Sequence, residues 1–235
     1  MGAVVQPGCE ISRERTARRI RRHHHLAPYA ALVLRGGYVE AGDRGRFRVE
    51  PGDVLLHDRF DAHQDQFGAR GADIFNLPLP EPPQASFGRT EDPDRVVRTS
   101  ETDPAEAAAL LLEELAANDA ALADWPDLLA SDLAAGRVRR LDEWAEGMGL
   151  APSTVSRGFK LAYGISPQRF RLENRAGRAA RALERSHLSV ASIAADSGFA
   201  DQPHLTRTLR ALLGHPPARL RARVNCIQDE APDPA

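Results

Sequence analysis

The chain has only two cysteines, Cys9 and Cys226, near opposite ends of its 235 residues. With no CxxC pair, they make neither a disulfide framework nor a cysteine zinc site, and a reducing, cytoplasmic setting is expected. No apolar run approaches the ~18 residues of a membrane span, so no membrane partner is expected. The N-terminus lacks an apolar stretch of the signal-peptide kind; after Gln6 it turns polar and rich in arginine. No Ser/His/Asp, Cys/His or phosphate-loop spacing occurs. No catalytic residues are therefore assigned, the chain is not read as an enzyme, and no motif requires a cofactor.

What is present is a division of charge. Residues 137–224 carry a net +9, residues 1–136 a net −8, and the tail 225–235 a net −3, hidden inside an overall −2. A basic segment beside an acidic one reads as two domains, one of them facing a polyanion.

Residues 1–21 hold Arg13, Arg15, Arg18, Arg19 and Arg21, and read as a flexible basic arm. Residues 22–80 read as strands: the β-prone runs Tyr29–Leu34, Phe47–Val49 and Val54–Leu56 alternate with turn signals at Gly36-Gly37, Gly42-Asp43, Gly45 and Pro51-Gly52. Strands this short suggest a small antiparallel barrel. Residues 81–136 read as a linker, Pro-rich and polar to 103. A helix follows over 104–118, capped by Thr102 or Asp103, with an apolar side at Leu110, Leu111, Leu112 and Leu115. Another helix is expected over 121–135. The leucine stripe makes this region a candidate homodimer surface. The acidic tail 225–235 is expected to be disordered.

From 138 onward the pattern is helical and contains an internal repeat. At an offset of 49, Trp144, Ala145, Gly149 and Leu150 match Ile193, Ala194, Gly198 and Phe199. After one extra residue, Val155, Ser156-Arg157, Phe159, Lys160, Gly164 and Pro167 match Leu205, Thr206-Arg207, Leu209, Arg210, Gly214 and Pro217. Each copy has the grammar of a helix-turn-helix. A small Ala lets two helices approach, a Gly supplies a left-handed corner, and an i, i+4 apolar pair faces inward on the second helix. The outward face is then free for a duplex. It presents Ser153, Thr154, Ser156, Arg157 and Lys160 in one copy, and Gln202, His204, Arg207 and Arg210 in the other. These side chains suit phosphates and base edges. Between the copies, Pro167 starts a helix reaching about Arg185, some ~28 Å of rod. That length could set two recognition helices about one DNA turn, ~34 Å, apart in successive major grooves. The rod's Arg169, Arg171, Arg175, Arg178, Arg181 and Arg185 are expected to divide between phosphate contacts and solvent.

The stretches LDEWAEGMGLAPSTVSRGFKLAYGISP and SVASIAADSGFADQPHLTRTLRALLGHPPARLR resemble the AraC/XylS family of transcription regulators, over about residues 138–223. The resemblance implies a seven-helix DNA-binding module (residues 137–224) that reads a promoter or operator in double-stranded DNA and most often recruits RNA polymerase as an activator. There are departures. Ala151 stands where the family favours a Ser cap, Leu205 and Leu209 replace Phe, and Ala176 and Ala182 replace Leu. Gly177, inside the rod, costs about 1 kcal/mol relative to Ala.

Residues 22–80 resemble, more weakly, the cupin sensor domain often fused to such modules. The carriers are His23-His24-His25 and RFRVEPGDVLLHDRFDAH, with His63 at the second motif's histidine position and the first motif's Glu absent near Ala30. The fold class is thus α+β, a small cupin-like barrel followed by an all-α module. His23, His25 and His63 are the candidate effector residues. Alternation puts His23 and His25 on one strand face, and the set could take a divalent metal or line a pocket for a small-molecule effector. The alternative function is a small metal-dependent cupin enzyme with a helical appendage.

Overall fold

The computed structural model describes residues 4–5, 9–116 and 121–221; the tail 225–235, with Cys226, lies outside them. The N-terminal part is one eight-stranded sheet: β1 (Val4–Val5), β2 (Glu10–Glu14), β3 (Arg18–His25), β4 (Tyr29–Gly42), β5 (Gly45–Val49), β6 (Asp53–His57), β7 (Ala62–Pro78) and β8 (Phe87–Arg89). The order is β1-β3-β7-β4-β6-β8, with β2 on β7 and β5 on β4. Every pairing is antiparallel among the described residues except β1 with β3.

Alternation along β4 explains the two cores. Tyr29, Ala31 and Val33 point to an interior shared with Phe47, Leu55, Phe67 and Ile74. Ala30 and Leu32 point the other way, onto a layer formed by α1 (Pro93–Ser100) and α2 (Pro104–Glu114). Both long strands bend where glycines meet. A Cβ on Gly36, whose φ is +72°, would stand 2.1 Å from the Gly71 carbonyl oxygen. Gly36-Gly37 is therefore a bulge inside β4 and not the expected turn. The hairpin at Gly42–Gly45 is as expected, but the one expected at Pro51-Gly52 is corrected: that tight turn leads β5 into β6, and both strands pair with β4 and not with each other.

The basic arm expected over 1–21 is corrected within the described residues: Glu10–Glu14 and Arg18–Arg21 belong to strands laddered onto β7. Arginine is tolerated there because β2 and β3 border the sheet and ion pairs hold it, Arg15 to Asp73 and Arg18 to Glu14. The leucine stripe of α2 is also corrected as a dimer surface. Leu111 is fully buried, and Leu110 and Leu115 pack on the sheet, leaving Leu112 outward.

The C-terminal part comprises α3 (Trp125–Ala134), α4 (Leu141–Gly147), α5 (Pro152–Tyr163), α6 (Pro167–Arg185), α7 (Val190–Asp196) and α8 (Gln202–Leu213), with residues 217–221 again helical. The module starts earlier than 137. Leu129, Ala130 and Leu133 of α3 share a core with Ala145, Val155, Phe159, Tyr163 and Phe170. The second unit has its own core around Ile193, Ala194, Phe199, Leu205 and Leu209, with Ala176, Ala179, Ala180 and Leu183 of α6. Among the described residues no helix is long and apolar enough to cross a membrane.

Candidate functional site

The two copies of the repeat fold as two helix-turn-helix units. Gly149 and Gly198 take the left-handed corner (φ +65° and +78°), and Gly164 and Gly214 close α5 and α8 in the same conformation. Val155 and Phe159, and Leu205 and Leu209, are fully buried. Inward burial of those pairs turns the opposite face out: Ser153, Thr154, Ser156, Arg157, Lys160, Gln202, Arg207 and Arg210 are all exposed. Among the nine expected residues His204 alone is half-buried, its ring edge-on to Phe199 with centroids 5.2 Å apart. The two helix starts differ. Asp201 caps α8 by accepting from the His204 amide at 2.6 Å, whereas Ala151 gives α5 no side-chain cap. Ser153 does not substitute as a cap; its Oγ instead accepts from Arg157 at 3.4 Å.

In the sheet, His23, His25 and His63 come together as expected, with ring centroids 4.4–5.0 Å apart. The ladder sets this up by pairing His23 directly with His63. Their facing atoms already engage one another: His25 Nε2 lies 2.9 Å from His63 Nε2, and the Tyr29 hydroxyl lies 3.2 and 3.1 Å from those two nitrogens. The His23 Nδ1 lies 3.0 Å from the Arg21 carbonyl oxygen. Burial lowers the pKa of His23 to about 4 and of His57 to about 3, and holds His25 far below the ordinary value. His63 goes the other way. Burial opposes its charge, but the Glu40 and Asp65 carboxylates outweigh that and raise it well above the usual range.

Two buried members of the cluster, His57 and Glu40, were not anticipated. His57 lies inside the quoted stretch RFRVEPGDVLLHDRFDAH, and its spacing of six from His63 was the available signal. Glu40 lies far along β4 and comes beside His63 through the β4–β7 register.

Residues 144–223 match the family described as a helix-turn-helix domain. This segment is a helix-turn-helix domain. The chain accordingly carries a helix-turn-helix domain of the DNA-binding kind over these residues. Among solved structures, it is similar to an AraC-type DNA-binding regulator from Chromobacterium violaceum (28% identity, 41% of this chain and 88% of that one, TM-score 0.38). It is similar to the DNA-binding domain of the global transcriptional factor AdpA in complex with a target DNA (23%, 46% and 100%, 0.42). It is also similar to ToxT from Vibrio cholerae (7%, 91% and 97%, 0.42). No curated protein sequence matches it.

The sheet docks along the helix-turn-helix domain and contacts both of its units. At the first unit, Gln64 Nε2 donates to the Ala162 carbonyl (3.0 Å) and Arg19 Nη2 to that of Leu161 (2.8 Å). Midway, the buried Arg22 bridges Asp43 and Glu173, the latter at 2.8 Å, with its guanidinium 5.3 Å from the Phe170 ring centroid. At the far end Arg181 donates to the Arg59 carbonyl (2.9 Å) and Asp61 (3.1 Å), and Arg59 to Glu184 (3.2 Å). Phe60 carries the contact into the second unit's apolar core. All six of the rod's arginines reach acceptors within the protein, while Arg169, Arg178 and Arg185 stay exposed. Arg169 holds Glu173, Arg171 the Arg139 carbonyl, Arg175 that of Gly198 and Arg178 that of Ala134, while Arg185 approaches Asp58. Apart from Arg169, whose partner lies in the same helix, these side chains link the rod to its neighbours.

Proposed function

We propose that the chain is an AraC-type transcription regulator, an effector-responsive activator that reads two successive major grooves with α5 and α8. The observation that carries the reading is the pair of outward faces, Arg157/Lys160 and Arg207/Arg210, open to solvent on helices whose inner faces are buried. RNA polymerase and a small effector are the further partners in this reading. A second copy of the chain would have to use a surface other than Leu110–Leu115, which is packed on the sheet.

The sensor acts by binding its effector more tightly in one arrangement of the two units than in another; without that difference nothing shifts. The sheet touches both units, so it is placed to bias their relation.

The test is selection of a duplex from a random pool, followed by salt titration of binding. Arg157→Ala and Arg207→Ala should each weaken binding and reduce the salt slope by about one phosphate's worth. Unchanged affinity and slope in the double variant would remove these helices from the interface.

A further inference from the structure

His57 and His63 bracket the loop of residues 58–62, and Glu40 reaches between them from β4. The Glu40 Oε2 atom stands 3.5 Å from His57 Nε2 and 3.1 Å from His63 Nδ1. The three residues are 3–5% exposed. Yet neither His57 Nε2 nor Glu40 Oε2 has a hydrogen bond of acceptable geometry. Leaving such a buried group unsatisfied costs about 1–3 kcal/mol, more when it is charged, so two together call for a further partner.

The space beside them is small. A cavity of about 10 Å³ is lined by Glu40, His57 and His63, with Asp43, Arg44 and Asp61. That is room for roughly one water-sized sphere, which excludes an organic effector and admits an ion. The donor separations suit one. Bonds of ~2.0 Å at tetrahedral angles put ligand atoms about 3.3 Å apart, between the two distances found. At His63 an ion would displace the Nδ1 proton now shared with Asp65 (3.1 Å), while the far nitrogen, Nε2, 2.9 Å from His25, can keep the other.

We propose that Glu40, His57 and His63 form a site for a divalent transition-metal ion of the zinc class, bound through the carboxylate, His57 Nε2 and His63 Nδ1. Water completes the set, or Asp65, whose Oδ1 is 3.1 Å from the same His63 nitrogen. This differs from the three-histidine set read in the sequence. There the facing atoms of His25, His63 and Tyr29 satisfy one another, and neither His23 nor His25 lines the cavity. The consequence, which rests on the regulator reading above, is mechanical. The ion closes the base of the loop that carries Phe60 onto α6, so occupancy reaches the rod through one short segment.

The test uses the full chain, stripped by a chelator and titrated with Zn²⁺ against a chromophoric competitor, with Co²⁺ absorption as a second probe. One ion per chain is expected, with Co²⁺ bands of a tetrahedral N/O site. His57→Gln and Glu40→Gln should each weaken binding about tenfold or more, and His23→Gln should leave it unchanged. Circular dichroism checks folding; a variant that does not fold is set aside, and the other variant and the wild-type Co²⁺ spectrum decide. Absence of a stoichiometric ion in folded wild-type protein overturns the site. So does binding that survives both the His57 and Glu40 variants but is lost in the His23 variant. No DNA is used, so this outcome is independent of whether the regulator reading stands. Zn²⁺-dependent hydrogen-exchange protection of residues 58–62 and 176–183 then reads the link to the rod.

Discussion

Phe60 and Gly177 meet where the sheet leans on the rod: a methyl group on Gly177 would stand 3.5 Å from the Phe60 carbonyl oxygen. Phe60 is buried, at 1% exposure, and holds a left-handed backbone at φ +66°. A non-glycine residue is held there, at a cost of order 1 kcal/mol or more, only when its surroundings fix it. Here Arg181 grips the neighbouring Arg59 carbonyl and Ala176, Ala179 and Ala180 leave room for the ring.

Three substitutions at this contact should separate, one stabilising and two destabilising. Gly177→Ala places its methyl at an ordinary contact distance and removes a helix penalty, so it should stabilise the chain by up to about 1 kcal/mol. Gly177→Leu should push the loop away, and Phe60→Ala should cost about 3 kcal/mol or more through the cavity it leaves. Urea unfolding of the three variants checks the order.

The uncapped start of α5 gives a second expectation. Ala151→Ser supplies the acceptor that Asp201 already supplies to α8, and should add about 1 kcal/mol. An unaltered unfolding midpoint would show that the first turn of α5 is satisfied in another way.

Glu173 gives a pH dependence of definite sign. Burial would raise its pKa, but Arg22 and Arg169 outweigh that and hold it below 4.5. A depressed carboxyl contributes stability that is complete above its unfolded value and is lost as pH falls through the folded one. The stability difference between wild type and Glu173→Gln should therefore be largest above about pH 5 and shrink toward pH 3. The other groups facing this site are Asp43, which burial pushes up to about 6, and His24, lowered to about 4 by burial. The raised Asp43 works with the opposite slope, favouring the folded state as pH falls through 6, so the comparison between the two proteins is the informative quantity.

What could be read in the residues follows from how local each signal is. The bounds of α6 were legible because Pro167 and the i, i+4 apolar pattern are local, and the corner glycines because a left-handed turn demands them. β3 was not legible. In RRIRRHHH the burial of Arg22 and three histidines reflects Glu173, Asp43 and β7, all remote in sequence. The helix α1 was hidden in a Pro- and Asp-rich stretch, although Asp92 caps it by accepting from the Arg95 amide at 2.9 Å. The expected histidine trio formed because alternation and the second histidine position are local features. Glu40 joined it through the β4–β7 register, which sets Glu40 opposite Asp65 and Gly42 opposite His63 and which no single-strand pattern expresses.

The central claim is that two equivalent faces each read one groove, and hydroxyl-radical footprinting on the selected duplex tests it directly. The wild-type chain should protect two segments about one helical turn, ~10 base pairs, apart, with Arg157→Ala erasing one and Arg207→Ala the other. A single protected segment, or two that both persist in each variant, would contradict it.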